Sequence, residues 1–219
     1  MSGYIQEDID PEELRHRTDT ARALADRVRD LVSATVVTDV DDAAIDDAQR
    51  HIEAATAILS ARRLPGSFGV RFNSDSTKRA WGNAVVGERN PLAPPVELVH
   101  ETDCSWAEFA LGPQYEGPAG LVHGGVIAMI LDQVLGSAAE HAGSPGMTGT
   151  LTIRYVRGTP LGEVRVQASL DRVEGVKSIV TGTLSTADGV CAEAEGIFIL
   201  PKWARGRVSE QLRKSVGEG

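Results

Sequence analysis

The chain has 219 residues, of which 42% are apolar and 24% charged, a composition typical of a soluble globular protein rather than a disordered or membrane-embedded one. Its 22 basic and 31 acidic residues give a net charge of −9, which disfavours a nucleic-acid partner because phosphate backbones are repelled. No apolar run approaches the roughly 18 residues of a membrane span, and residues 1–17 are acidic rather than basic and then apolar. We therefore expect a cytoplasmic protein with no membrane span.

Two amphipathic helices are predicted in an N-terminal extension, residues 1–62. Pro11 suits the first position of a helix, and a second pattern begins after the acidic stretch 39–42 and ends before Pro65. Since each helix carries one apolar stripe, each is expected to pack against another surface. Apolar residues recur at intervals of three and four along both helices: Leu14, Ala21, Leu24, Val28 and Leu31 in the first, and Ala44, Ile45, Ala48, Ile52, Ala55, Ile58 and Leu59 in the second.

Residues 63–95 are predicted to be a connecting segment. Glycines and prolines break any long period here, and the pairs Asn90-Pro91 and Pro94-Pro95 favour extended or turn backbone. The stretch 69–72 fits a short strand.

Residues 96–203 carry the patterns of an α+β domain. Strand-like sequence at 97–111 is followed by a loop rich in Gly and Pro, 112–120, and by a helix, 124–141. Turns containing glycine separate the segments that follow, so consecutive strands are predicted to pair as antiparallel hairpins. One long helix against an antiparallel sheet is an α+β layer arrangement, and a polar tail, 204–219, follows it. The four segments that alternate apolar and polar residues with a period of two are 148–157, 163–173, 177–186 and 190–200.

Two features between residues 115 and 132 indicate chemistry. His123-Gly124-Gly125 opens the predicted helix, where glycines let the backbone approach a ligand and where free amides at the positive end of the helix dipole can hold an oxyanion. Asp132 lies in an otherwise apolar helical run, and a carboxylate there is costly unless it has a partner. Each feature also has a simpler interpretation: a helix-start turn for the glycines and a solvent-facing position for Asp132.

Gly124 and Asp132 cannot act on the same atom from a single helix. Eight residues separate them, which is roughly 12 Å at 1.5 Å per residue. If an amide near Gly124 holds a carbonyl oxygen while Asp132 acts on its carbon or on a water, the two groups must come from different subunits with antiparallel central helices. This hypothesis predicts an obligate dimer with two composite sites.

A series of motifs over residues 95–201 is specific in its order and spacing. It runs Tyr115-Glu-Gly-Pro, Val-His123-Gly124-Gly125, Asp132, Met147-Thr148-Gly-Thr-Leu-Thr-Ile-Arg-Tyr, Pro160-Leu161 and Asp171-Arg-Val-Glu-Gly175-Val-Lys177. The series resembles the hotdog-fold acyl-CoA thioesterases of the phenylacetyl-CoA thioesterase-like group, which includes the human thioesterase superfamily members. The resemblance implies an antiparallel sheet wrapped around a long central helix, and a homodimer or dimer of dimers that hydrolyses acyl-CoA to a free acid and CoA.

The resemblance also implies roles for individual residues. Asp132 matches the helix carboxylate that acts as general base on water or as nucleophile. The Gly124 N–H matches the group that polarises the thioester carbonyl, His123 helps to shape that hole, and Thr148 matches the Ser or Thr that holds the water or the carboxylate. Some relatives carry an Asn six residues before the histidine, where this chain has Gly117, and this departure leaves His123 as the side-chain contributor.

The phosphates of CoA must meet local positive charge in this acidic protein. Arg157 and Lys177 are predicted to bind the substrate, together with Gly175 in the hairpin and Gly125 at the helix start; solvated charge on a strand face is the alternative interpretation of the two basic residues. A thioester is an activated acyl group, for which a carboxylate, a positioned water and an oxyanion hole suffice. We therefore predict no metal and no cofactor, since CoA is part of the substrate. The other histidines, which lack metal-ligand spacing, are His16, His51, His100 and His141.

Other functions stay open from the sequence. A non-catalytic acyl-CoA or acyl-carrier binding protein would use the same pocket as a sensor, and an interaction protein would use the helices of residues 1–62. A hydratase or dehydratase needs an Asp–His pairing that this chain lacks. The N-terminal helices could cap the acyl tunnel, extend the dimer interface or recruit a partner. The acyl chain is not specified, because walls of Leu, Val and Ile encode no length.

Overall fold

The computed structural model describes residues 4–75 and 77–202. The chain divides into two compact units between Pro94 and Pro95. The predicted polar tail, 204–219, lies outside the described residues, as does residue 203, the last residue of the predicted α+β domain. No helix among the described residues is long and apolar enough to cross a membrane.

The N-terminal unit contains two helices and three short strands. A carboxylate before each helix caps its free amides: Asp10 accepts a hydrogen bond from Glu12 N at 2.9 Å, and Asp41 accepts one from Ala44 N at 2.9 Å. Both helices lie where the periodicity predicts them. The elements are β1 (Tyr4–Gln6), α1 (Pro11–Val37), α2 (Asp42–Ser60), β2 (Val70–Phe72) and β3 (Lys78–Arg79).

Part of the segment 63–95 folds against the beginning of the chain. β2 pairs in parallel with β1 and antiparallel with β3, and β3 is too short to have been predicted. Glu7 joins the strands: its carboxylate accepts a hydrogen bond from Arg71 Nη1 at 3.0 Å, and its carbonyl accepts one from the buried Arg79. The hydrogen bond from Arg71 holds the pKa of the Glu7 carboxyl below its usual value. Long-range ion pairs of this kind leave no periodic signal in a sequence.

The apolar stripe of α2 is exposed, whereas that of α1 is partly covered. α1 buries only Ala25, and no residue of α2 is buried. Near the end of α2, Ile58 is 76% exposed and Leu59 is 54% exposed. The prediction that each stripe packs against another surface is therefore met in part for α1, where Ala21 and Val28 are also half-buried, and is not met for α2 within the described part of the chain.

The C-terminal unit is a six-stranded antiparallel sheet with one long helix against it. The strand order is β4-β5-β7-β8-β9-β6. A 3₁₀ turn at Pro113–Tyr115 precedes the helix. The elements are β4 (Val99–His100), β5 (Ser105–Leu111), α3 (Gly124–His141), β6 (Met147–Tyr155), β7 (Gly162–Glu174), β8 (Lys177–Thr186) and β9 (Gly189–Ile199).

The core lies between α3 and one face of this sheet. Glycines in β8 and β9 let the helix approach closely, because a Cβ at Gly182 would lie 2.9 Å from Leu135 and one at Gly196 would lie 3.0 Å from it. Dense packing of this kind removes the apolar face of the helix from water. The helix residues that it buries are Ile127, Ile130, Leu131, Val134, Leu135, Ala138 and Ala139.

One predicted strand pairing is wrong. β7 with β8 and β8 with β9 form the expected hairpins, with Gly175 and Gly189 at positive φ in their turns. β6 does not pair with β7; it crosses over to pair with β9 at the edge of the sheet. The connection 156–161 bonds elsewhere instead of closing a turn, since Val122 N donates to Thr159 O and Leu161 N donates to Gly120 O.

Candidate active site

The first turn of α3 is capped by His123. Its Nδ1 accepts a hydrogen bond from Gly125 N at 2.9 Å. A ring nitrogen that accepts leaves Nε2 to carry the proton of the neutral imidazole, and the side chain is exposed. The amide of Gly124, the first residue of the helix, has no hydrogen-bond partner among residues 4–75 and 77–202. A free donor therefore sits at the positive end of the helix dipole.

Gly117 determines how closely the preceding loop approaches His123. A Cβ at position 117 would lie 2.8 Å from the Cα of His123 and 3.0 Å from its Cβ, which is closer than real Cβ atoms come. The loop is held by backbone bonds, with His123 N donating to Tyr115 O at 2.9 Å and Gly117 N donating to Leu121 O at 2.8 Å. The glycine at position 117 therefore makes room for the capping histidine.

Tyr155 supports the helix start from the end of β6. Its hydroxyl donates to the carbonyl of Gly124 at 2.8 Å, and its ring lies 3.5 Å from where a Cβ on Gly124 would be. No role for this residue was predicted from the sequence. The one available signal was its position as the last residue of the motif that begins at Met147.

Asp132 is half-buried on α3 and bonded to β6. Thr148 Oγ1 donates to its Oδ1 at 2.8 Å, so the carboxylate has the partner that its apolar surroundings require. The next residue, Gln133, bonds along the helix to Ser137 at 3.1 Å. The structure thus brings together Asp132 and Thr148, two residues that the family resemblance joined.

The candidate residues form two groups at different places along α3 and β6. His123, Gly124 and Tyr155 lie at one end, and Asp132 and Thr148 lie further along. In the sheet, Thr148 pairs with Phe198 whereas Tyr155 pairs with Ala192, and seven strand residues span roughly 23 Å. Within one protomer, the Gly124 amide and the Asp132 carboxylate therefore lie too far apart to act on the same reacting group.

The predicted CoA-binding residues lie in two different environments. Arg157 donates to Val190 O, Thr186 Oγ1 and Gly189 O at 3.2, 2.8 and 2.6 Å, so it braces the β8–β9 turn. Lys177 is exposed beside Gly175, and its ammonium group has no bonded partner within the part of the chain described here. The register places Lys177 opposite Ile199, which in turn lies opposite Met147. Lys177 therefore shares the end of the sheet on which Thr148 lies.

Two of the remaining histidines form a stacked pair away from these groups. The rings of His100 and His141 stack at 4.8 Å, and His100 Nδ1 lies 2.7 Å from the hydroxyl of buried Ser105. Burial, followed by the neighbouring His141, lowers the pKa of His100. Across the described ranges, no three His, Cys, Asp or Glu side chains lie close enough together to hold a metal ion.

Comparison with known proteins identifies a family for this architecture. A family model described as thioesterase superfamily matches residues 119–193. The crystal structure of a thioesterase superfamily protein is similar with a TM-score of 0.73 and 33% sequence identity, over 82% of this chain and 94% of that one.

Curated relatives match over a shorter stretch. The acyl-coenzyme A thioesterase THEM4 of Xenopus laevis is 34% identical over 94 residues, which is 42% of each chain. The protein of the same name from Bos taurus is 37% identical over 94 residues, 42% of this chain and 38% of its own length. The matched part thus spans about two-fifths of these relatives. With its antiparallel hotdog sheet packed against one long helix, this chain belongs to the thioesterase superfamily.

Proposed function

We propose that this chain hydrolyses acyl-CoA thioesters to a free acid and CoA. Membership of the thioesterase superfamily supports the reaction class, and relatives named acyl-coenzyme A thioesterases support the substrate class. The observation that carries the proposal is the hydrogen bond of 2.8 Å from Thr148 Oγ1 to Asp132 Oδ1. This hydrogen bond holds the Asp132 carboxylate in one orientation and leaves its second oxygen, Oδ2, available for the reaction.

The proposed chemistry needs a carboxylate and an oxyanion hole. Asp132 either takes a proton from the water that attacks the thioester carbon or attacks that carbon itself. Negative charge then develops on the carbonyl oxygen, where the free Gly124 amide and the helix dipole stabilise it. The Nε2–H of His123 is a second donor near that amide. With water as the nucleophile, collapse of the tetrahedral intermediate gives the free acid and expels the CoA thiolate, which takes up the proton held by Asp132. With Asp132 as the nucleophile, collapse expels the thiolate and leaves a mixed anhydride on Asp132, which water then hydrolyses to the free acid.

We propose that each site is shared by two protomers. β6 ends the strand order, so one of its edges has no strand partner in the part of the chain described, and proteins rarely leave a long strand edge uncovered. Antiparallel pairing with β6 of a second copy would bring the Thr148 end of one strand beside the Tyr155 end of the other. Asp132 would then face the backbone N–H of Gly124 of the partner subunit. The two groups could act on one thioester although they lie far apart on a single α3.

The acyl chain and the CoA phosphates of the substrate would contact different parts of the protein. Met129, half-buried one turn before Asp132, supplies apolar surface for the acyl chain. Lys177 has a free ammonium group for a CoA phosphate, whereas Arg157 contributes chiefly by bracing the hairpin next to β6. A cytoplasmic location stays a prediction.

Release of free thiol from acyl-CoAs tests the proposal. The panel holds short, medium, long and aromatic acyl groups, and the wild type is compared with Asp132→Asn. We expect turnover to fall by about 10²- to 10⁴-fold in the variant, the usual effect of losing an acid–base group. Asp188→Asn, in the exposed β8–β9 turn, is the matched control and should keep full activity. If the wild type binds CoA esters but neither it nor the variants hydrolyse any of them, the sensor function is favoured instead.

A further inference from the structure

α2 is an amphipathic helix whose apolar face has no cover. Every residue from Asp42 to Leu59 is exposed, and only Ser60 is partly shielded. Within the described residues, Ile52 is 40% exposed and Leu59 54%. Most of the stability of a helix in a protein comes from packing its apolar face rather than from intrinsic propensity. Within residues 4–75 and 77–202, therefore, no surface covers this face.

The spacing of the apolar residues indicates what kind of surface this partner is. Successive intervals of three, four, three and four residues are those of a coiled-coil seam. Large side chains occupy one of the two seam positions and alanines the other. A seam of alternating large and small residues fits another helix of the same pattern better than it fits a flat sheet. Its members are Ile45, Ala48, Ile52, Ala55 and Leu59.

From this seam we infer that α2 pairs antiparallel with α2 of a second copy of this chain. In an antiparallel pair, two of the three large residues face a small one: Ile52 lies opposite Ala55 of the partner subunit, and Leu59 lies opposite Ala48 of the partner subunit. The third, Ile45, lies opposite the chain just beyond the end of the partner's α2. The contact is isologous, so the same complementarity occurs on both sides of a two-fold axis.

Charge at the two ends of α2 selects the antiparallel orientation. The N-terminal end carries the acidic residues Asp41, Asp42 and Asp46, and the C-terminal end is followed by Arg62 and Arg63. The register above brings the acidic start of each helix near the partner's chain just past its Ser60, where Arg62 and Arg63 follow; ion pairs beside a seam help to choose coiled-coil partners. A parallel pair would instead bring like charges together at both ends.

This contact is separate from the β6 edge that the proposed function uses. A helix of 19 residues is about 28 Å long, and its seam is smaller than the roughly 800 Å² per partner of a standard interface. We therefore expect association that depends on concentration.

Sedimentation of the full chain over a range of concentrations tests the pairing. Ile52→Glu places two carboxylates near the two-fold axis, and we expect it to weaken one association step by about tenfold or more. Ala57→Glu, on the opposite face of α2, is the matched control and should leave that step within about twofold. Equal behaviour of the two variants, or a wild type without the step, would overturn the inference. Thiol release should persist in Ile52→Glu, which separates this result from a failure of the proposed function.

A charge exchange tests the antiparallel register. Asp42→Arg and Arg63→Asp should each weaken association, and the double variant should restore it. Both substitutions are unfavourable to the helix dipole, so a role confined to helix stability predicts that the double variant is worse than either single one. Failure of the double variant to recover, with helix content checked by circular dichroism, would refute this pairing.

Discussion

Gly124→Pro removes the proposed oxyanion donor and changes little else. Gly124 is the first residue of α3, a position where proline is favoured because its φ suits the helix and its amide has no intrahelical partner. The preceding residue, His123, has φ −62° and ψ 131°, the extended backbone that a following proline requires. Loss of one oxyanion donor typically lowers kcat by about 10²- to 10³-fold, and we expect that fall here. Thiol release from the best acyl-CoA of the panel is the assay.

Gly124→Ala is the matched control for this substitution. It keeps the N–H, and its Cβ would meet Tyr155 at 3.5 Å, an ordinary van der Waals contact. We expect the alanine variant to stay within about threefold of the wild type, a small fraction of the loss assigned to the donor. Equal activity of the proline and alanine variants would refute the assignment of the Gly124 amide as the oxyanion donor.

Gly124→Pro also tests whether sites are shared between protomers. Co-expression with Asp132→Asn would give heterodimers in which one of two sites has both groups intact. With random assembly, half of the dimers are mixed, so about a quarter of wild-type activity should return. Activity no higher than that of the two separate variants would refute a composite site.

Three further changes test the positioning of the site and its support. Thr148→Val removes the hydrogen bond to Asp132, and we expect kcat/KM to fall about tenfold, as for the loss of one bond to a charged group. Thr148→Ser keeps the hydroxyl and should keep the kcat/KM of the wild type. Gly117→Ala drives a Cβ into the backbone of His123, so chemical denaturation should show a loss of about 1–3 kcal/mol, and unchanged stability would contradict the close approach. Burial, and then the neighbouring ring of His141, lower the pKa of His100, so the folded chain resists protonation there. Between about pH 7.5 and about pH 5.5 the unfolded chain binds the proton more readily, and the free energy of unfolding of the wild type should therefore fall. His100→Asn should make the free energy of unfolding less dependent on pH in this range.

Local pattern was sufficient for most of the C-terminal unit. The helix predicted at 124–141 is α3 at Gly124–His141, because its apolar spacing and the glycines before it act within a few residues. The hairpins at Gly175 and Gly189 follow from turns that need positive φ. The pairing of β6 could not be predicted in the same way, since its partner β9 is distant in sequence and the bonds of the intervening connection are not visible as a pattern.

For the candidate site, too, some features follow from local sequence and others only from the tertiary structure. By itself, the sequence determined which residues could do chemistry and that Gly124 and Asp132 lie about 12 Å apart on one helix, because helical rise is a local property. The resemblance left open whether Thr148 holds a water or the carboxylate, and the tertiary structure decided for Asp132. Only the tertiary structure decided that Tyr155 supports Gly124, that β6 is an edge strand and that α2 is exposed. Those outcomes depend on which distant segments pack together, and neither periodicity nor capping, which act between neighbours in the chain, carries that information.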